Sequence, residues 1–191
     1  EDDYDSELRY SGKPIPSLQG LRPQGNIIYL GTFSKILSPA LRVSYLVLPR
    51  ALLTSYRRHF QDYFSSVSQL EQRTLTKFME QGHWERHIRR MRSIYKKKHE
   101  TILRAIEENF GARAEVIGQG AGLHVVLQLS APARNEAEII KRAEEQGLRL
   151  FPFSWTCKAA NNDATRLILG FGGMTSHEIS EGIALLSRIC F

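Results

Sequence analysis

A chain of 191 residues with 42% hydrophobic and 24% charged residues can bury a real core and has the mix of an ordinary globular protein. No apolar stretch reaches the roughly 18 residues of a membrane-spanning helix and no signal-peptide pattern opens the sequence, so a cytoplasmic protein is expected. Cys157 and Cys190 stand far apart with no CxxC pairing, which favours reduced thiols over a zinc site, and the net charge of +6 is compatible with a nucleic-acid partner without requiring one.

The opening, Glu1-Asp2-Asp3-Tyr4-Asp5-Ser6-Glu7, is acidic and lacks a methionine, and it reads as part of a longer chain. Two readings stay open for it: a solvated acidic turn, or a segment with one carboxylate buried against a cation. Residues 11–26 carry Lys13-Pro14-Ile15-Pro16 and Arg22-Pro23-Gln24-Gly25, which predicts loop with at most one helical turn. Ile27-Ile28-Tyr29-Leu30 then reads as a buried strand that stops at Gly31-Thr32-Phe33-Ser34-Lys35. Ser38-Pro39 marks a turn, Arg42 follows, and residues 43–48 form a second strand ending at Pro49.

Pro49 is placed to start a helix, which Ser65-Ser66-Val67-Ser68 interrupts. A second helix is expected from Ser68 to Gln81, with Leu70, Leu75, Phe78 and Met79 facing inward and Gly82 as its stop. Residues 83–110 hold one apolar stripe at three-to-four spacing, Trp84, Ile88, Met91, Tyr95, Ile102, Ala105, Ile106 and Phe110. His87, Arg89, Arg90, Arg92, Lys96, Lys97 and Lys98 fill the rest, a face read as solvated or as a contact for nucleic acid.

From residue 111 onward the pattern is that of a small α+β unit. Strands are expected at 115–117 and 123–129, a helix from Asn135 to Gln146, strands at 148–151 and 166–171, and a last helix after Ser176. That helix should face Ile179, Ile183, Leu186 and Ile189 inward, and residues 154–165 should form a polar, mobile loop. The expected division is therefore 1–82, a bridging helix 83–110, and 111–191.

Chemistry concentrates at Lys35. A long cationic side chain straight after a buried strand needs a partner or a task. Strand, hydroxyls, lysine, turn, arginine, strand is an order that suits an amine forming a Schiff base beside a bound phosphate ester, which hydroxyls and a guanidinium can hold.

With those pieces in order, the sequence resembles the later half of pyridoxal-phosphate (PLP) dependent enzymes of the aspartate-aminotransferase fold, fold type I, an α/β architecture. More closely, it resembles the aminotransferase-like domain of the MocR/GabR regulators, a subfamily of the GntR transcription factors. The matching motifs are Glu1 to Glu7, Gly31-Thr32-Phe33-Ser34-Lys35, Pro39-Ala40-Leu41-Arg42, Gly120-Ala121-Gly122-Leu123-His124 and Leu169-Gly170-Phe171. The resemblance implies that Lys35 forms the Schiff base with the cofactor aldehyde, that Asp2 sits against the pyridine nitrogen, and that Tyr4 donates to the phenolic oxygen. It further implies that Thr32, Ser34 and Arg42 hold the phosphate.

In ordinary members of the fold the tyrosine follows the aspartate by three residues; here it follows by two, which favours the regulators. An arginine that often clamps the ligand carboxylate after the last strand is missing from Gly170-Phe171-Gly172-Gly173-Met174-Thr175. The implied function is a sensor of an amino acid or amine effector in a homodimeric regulator, which contacts DNA through a winged-helix domain absent from this chain. The alternatives are a working class I/II aminotransferase that transfers an amino group to a 2-oxo acid, and a remnant that binds no cofactor. Much of the fold, including its glycine-rich phosphate loop, is expected to lie outside the 191 residues.

Overall fold

The computed structural model describes residues 1–13, 15–22, 24–118, 120–156 and 164–191. Cys157 and the middle of the loop expected at 154–165 lie outside the described residues. The chain divides into two compact units, Glu1–Arg92 and Ser93–Phe191. The division falls inside the long helix expected from the apolar stripe.

The first unit is built on a three-stranded sheet, β1 (Asp2–Asp3), β2 (Tyr29–Thr32) and β3 (Ser44–Val47), in that order. β1 runs parallel to β2, with Asp2 opposite Leu30 and Asp3 opposite Gly31. β3 is antiparallel, pairing Gly31 with Tyr45 and Thr32 with Ser44. Within the acidic opening, Asp2 and Asp3 therefore form an edge strand with both aspartates in the ladder, where a plain solvated turn was one of the two readings. A strand of two residues carries no hydrophobic alternation, so nothing in the sequence pattern announces it.

The single helical turn allowed between 11 and 26 is α1 (Leu18–Leu21). Ser17 caps it by accepting from the Gly20 N–H, and the Glu1 carboxylate accepts from the N–H groups of Leu18 and Gln19. These are donors a helix start leaves unsatisfied. Helix α2 (Arg50–Phe60) follows Pro49, and α3 (Gln69–Glu80) opens on a capping box between Ser68 and Glu71. Leu75, Phe78 and Met79 are half-buried as expected, whereas Leu70 is 77% exposed. It sits in the first turn, where the helix has not yet closed on its neighbours.

Helix α4 spans His83–Phe110. His87, assigned to the polar face by composition, is half-buried and its Nε2 lies 2.7 Å from the Ile36 carbonyl. A carbonyl only accepts, so the proton resides on Nε2. In the same unit the Arg92 Nε donates to the Glu7 carbonyl. Leu8, Ile36 and Val43 are the buried apolar residues here.

The second unit holds the later turns of α4 and a four-stranded antiparallel sheet in the order β4 (Ala114–Ile117), β5 (His124–Leu129), β7 (Thr165–Gly170), β6 (Phe151–Pro152). Alternation along β5 is strict, with Val125, Leu127 and Leu129 buried and the residues between them half-exposed. Leu167 and Leu169 of β7 face the same way. Helices α5 (Glu136–Glu145) and α6 (Ser176–Cys190) supply Ile139, Ala143, Ile179, Ile183, Leu186 and Ile189 to the core, all buried. Phe171, just past β7, is wholly buried, its N–H donating to the Leu123 carbonyl.

Both helices start on capping boxes, Asn135 with Glu138 and Thr175 with Glu178. Thr175, one residue earlier than expected, is the cap. Cys190 is a free, buried thiol whose pKa burial pushes up to about 12, against the pull of Arg134. No helix among the described residues is long and apolar enough to cross a membrane, and they contain no cluster able to hold a metal ion.

Candidate functional site

In open α/β sheets, ligands gather at the carboxyl ends of parallel strands. β1 and β2 are the parallel pair, and the residues that leave their carboxyl ends are Tyr4 and Phe33-Ser34-Lys35. The Lys35 Nζ lies 5.6 Å from the centroid of the Tyr4 ring. Such a contact at an exposed position contributes about 0.5–1 kcal/mol, enough to bias the lysine toward the ring without occupying its proton donors. Neither Lys35 nor Arg42 takes part in an ion pair among the described residues. Both cations are therefore available to a ligand.

Thr32 ties the two segments around the lysine. Its Oγ1 donates to the Val43 carbonyl at 3.3 Å and accepts from the Ser34 N–H at 3.2 Å, while the Phe33 N–H donates to the same carbonyl at 3.0 Å. A turn at Pro39–Leu41, capped by Ser38, brings the chain back, and Arg42 ends it in the left-handed region at φ +51°. That conformation costs a non-glycine residue roughly 1–2 kcal/mol, and strain of this kind collects at sites that use it. Here it reverses the chain so that Val43 is buried and its carbonyl meets Thr32 and Phe33, while Arg42, the residue before it, is exposed. Asp2 is exposed and opposite Leu30, so by strand alternation it shares a face with Leu30 and Thr32.

The opposite face carries a network that the motifs did not single out. Tyr29 donates to Asp3 at 2.8 Å, the Ser6 N–H donates to the same carboxylate at 3.1 Å, and the ring of Tyr45 lies against that of Tyr29 with centroids 6.1 Å apart. Phe33 packs on Tyr45 and on Trp84 at 5.5 and 5.4 Å. Gly31 lies beneath the Tyr45 ring so closely that a Cβ there would overlap it. The glycine of the Gly31-Thr32-Phe33-Ser34-Lys35 motif is thus required by an aromatic neighbour on the next strand. Asp3 binds β1 to β2 and closes the turn that follows Tyr4, so it fixes the spacing between Tyr4 and Lys35. The only sequence signal was its neighbour, Asp2, one residue away on the other face.

Burial would raise the Asp3 carboxyl, but the hydrogen bonds from Ser6 and Tyr29 outweigh it and hold the group below its ordinary value near 3.8. Burial first, then the bonds to Asp3 and Tyr45, push the Tyr29 hydroxyl upward. A carboxyl with a lowered folded pKa adds stability that is complete above the unfolded value and disappears as the pH falls through the folded one. Asp3→Asn is therefore expected to leave an acid-unfolding curve flatter below about pH 4 than that of the parent chain. Equal slopes in circular dichroism titrations of the two proteins would show that the bonds to Asp3 are not formed in solution.

The donor set suits a phosphorylated aldehyde: one amine without an ion-pair partner, two hydroxyls in one turn, one guanidinium, a tyrosine beside the amine and an aspartate on the strand next to it. Comparisons with known proteins identify the family. The model of the family Aminotransferase class I and II matches residues 6–184. The HTH-type transcriptional regulator YhdI of Bacillus subtilis is 45% identical over 186 residues, covering 97% of this chain and 39% of the regulator. The probable rhizopine catabolism regulatory protein MocR of Rhizobium meliloti is 31% identical, covering 96% of this chain and 37% of that protein. The chain thus spans under two fifths of the length of these relatives. Among solved structures, the α-aminoadipate aminotransferase LysN of Thermus thermophilus, complexed with N-(5'-phosphopyridoxyl)-L-leucine, aligns with a TM-score of 0.85 at 25% identity, over 99% of this chain and 49% of that one. With a family match across almost its whole length, and relatives of the regulator type, the chain belongs to the aminotransferase class I and II family.

Proposed function

We propose that this chain is the PLP-binding, effector-sensing part of a MocR-type DNA-binding transcription regulator. The observation that carries the reading is Lys35 lying against Tyr4 at the carboxyl ends of the parallel strands, without an ion pair to occupy its amine. Lys35 offers that amine to the cofactor aldehyde and Ser34 and Arg42 donate to the phosphate, while Thr32, whose hydroxyl proton goes to the Val43 carbonyl, holds the Ser34 turn at the phosphate. Asp2 holds the proton of the pyridine nitrogen, and Tyr4 donates to the phenolic oxygen. When bound, PLP supplies an aldehyde that captures amines and a ring that withdraws electrons. The rest of the task belongs to the protein, which must bind the effector differently in two conformations so that its concentration shifts their populations. The effector is an amino acid or amine, the regulator works as a cytoplasmic homodimer, and its DNA contact is made by the winged-helix part of the parent protein.

The test is to incubate the chain with PLP, reduce with borohydride, and map the modified lysine by peptide mass spectrometry. Label concentrated on Lys35 is the expected result. Label spread over Lys96, Lys97 and Lys98 would overturn the assignment of the site. Kinship of the fold to solved aminotransferases keeps one second reading in play, amino transfer to a 2-oxo acid. Release of a keto acid from an added amino acid over many turnovers would favour it.

A further inference from the structure

The second unit contains a cleft of about 210 Å³ lined by Glu136, Phe153, Ser154, Thr165 and Arg166. It is smaller than the ~300–1,000 Å³ of pockets that enclose drug-sized molecules, which limits an occupant to a few heavy atoms. Its two charged groups are each held by one edge and open at the other. Arg166, on β7 and half-buried, donates through Nε to Gln128 Oε1 at 2.8 Å, and its guanidinium carbon lies 5.3 Å from the Phe153 ring centroid. The two terminal nitrogens of the fork are left without a hydrogen bond or ion pair among the described residues. Glu136, also half-buried, at the start of α5, accepts from the N–H groups of Phe153 and Ser154 through Oε1 alone, at 2.6 and 3.1 Å. Its second oxygen has no partner among the described residues.

Opposite charges that line one cleft gain by pairing, yet Arg166 and Glu136 form no ion pair with each other. Each is instead braced by its own neighbours, Arg166 by Gln128 and Phe153, Glu136 by two backbone amides. Braced and separated charges leave room for a molecule that carries the complementary pair. We propose that this cleft binds a small zwitterion of the α-amino acid type, with the ligand carboxylate on the Arg166 fork and its ammonium on Glu136. The planar fork matches a carboxylate in two parallel bonds, Ser154 and Thr165 add hydroxyls at the wall, and Phe153 supplies an apolar side. The site requires no cofactor and no Lys35, so it stands or falls apart from the reading of the PLP site.

The experiment is calorimetric titration of the PLP-free chain with L-alanine, propionate and ethylamine at neutral pH. L-alanine should bind saturably and at least about tenfold more tightly than either half-molecule, since each half-molecule forgoes one of the two charge-assisted contacts. Glu136→Gln, which keeps an acceptor for the Phe153 and Ser154 amides, should weaken L-alanine about tenfold and leave propionate unchanged. Arg166→Gln should weaken both. Circular dichroism confirms that each variant is folded; should Arg166→Gln fail to fold, the contrast between alanine and propionate in Glu136→Gln decides the matter alone. Absence of saturable L-alanine binding to the folded chain, or binding that Glu136→Gln leaves unaltered, would overturn the proposal.

Discussion

Lys35→Ala is expected to remove the borohydride-stable pyridoxyl label completely while leaving the thermal midpoint of the chain almost unchanged. The two halves of that expectation have separate causes. The side chain is exposed and its contact is the ring face of Tyr4, so its truncation forfeits no more than about 1 kcal/mol, the upper worth of such an exposed contact. The label, in contrast, depends on an amine at the end of β2, and no rearrangement of Thr32, Ser34 or Arg42 can provide one. Reduction followed by mass spectrometry reads the first half, and a melting curve the second. Label that persists elsewhere at the parental stoichiometry would mean that the aldehyde is captured by surface lysines and that Lys35 has no special reactivity.

Phe171→Ala has the largest effect expected on stability. The ring is fully buried, lies 5.9 Å from the buried His99 ring, and is anchored by the bond from its own N–H to the Leu123 carbonyl. Removing a buried phenylalanine costs about 3–5 kcal/mol, a sum of lost transfer energy and the cavity left behind. For a unit of this size that lowers the melting midpoint by at least about 10 °C. Because the N–H to Leu123 bond belongs to the backbone, it survives the substitution, so the loss reads packing alone. A variant that melts within a few degrees of the parent would mean that α4 and α6 collapse into the space.

The helices were the most legible part of the chain. The stripe from Trp84 to Phe110 located α4 to the residue, because twenty-eight positions of consistent period leave little freedom in the ends. Strands of two residues were the least legible: β1 was not expected as a strand, and the strand expected at 148–151 forms only at Phe151–Pro152, because both take their bounds from the ladders of β2 and β7, which no local pattern encodes. At the candidate site the motif named residues by chemical type, and the fold placed Tyr4 and Lys35 together, with Thr32 and Ser34 joined in one turn. Sequence reasoning missed the supporting layer. Tyr29 bonds to Asp3 and packs on Tyr45 across three strands, a pairing that depends on register, which emerges only when the strands align. Leu70 and His87 failed for the reverse reason: residue type gave the wrong face, and position in the helix decided it.

The contact between Gly31 and the Tyr45 ring bears on how such chains diverge. A side chain at position 31 would have to displace the outer end of the Tyr45 ring on the adjoining strand, so the two positions are coupled. Enlarging position 31 alone crowds the ring, and trimming position 45 alone leaves a gap over the glycine. The glycine that precedes the lysine thus has a packing reason in the ring on the next strand, apart from any ligand.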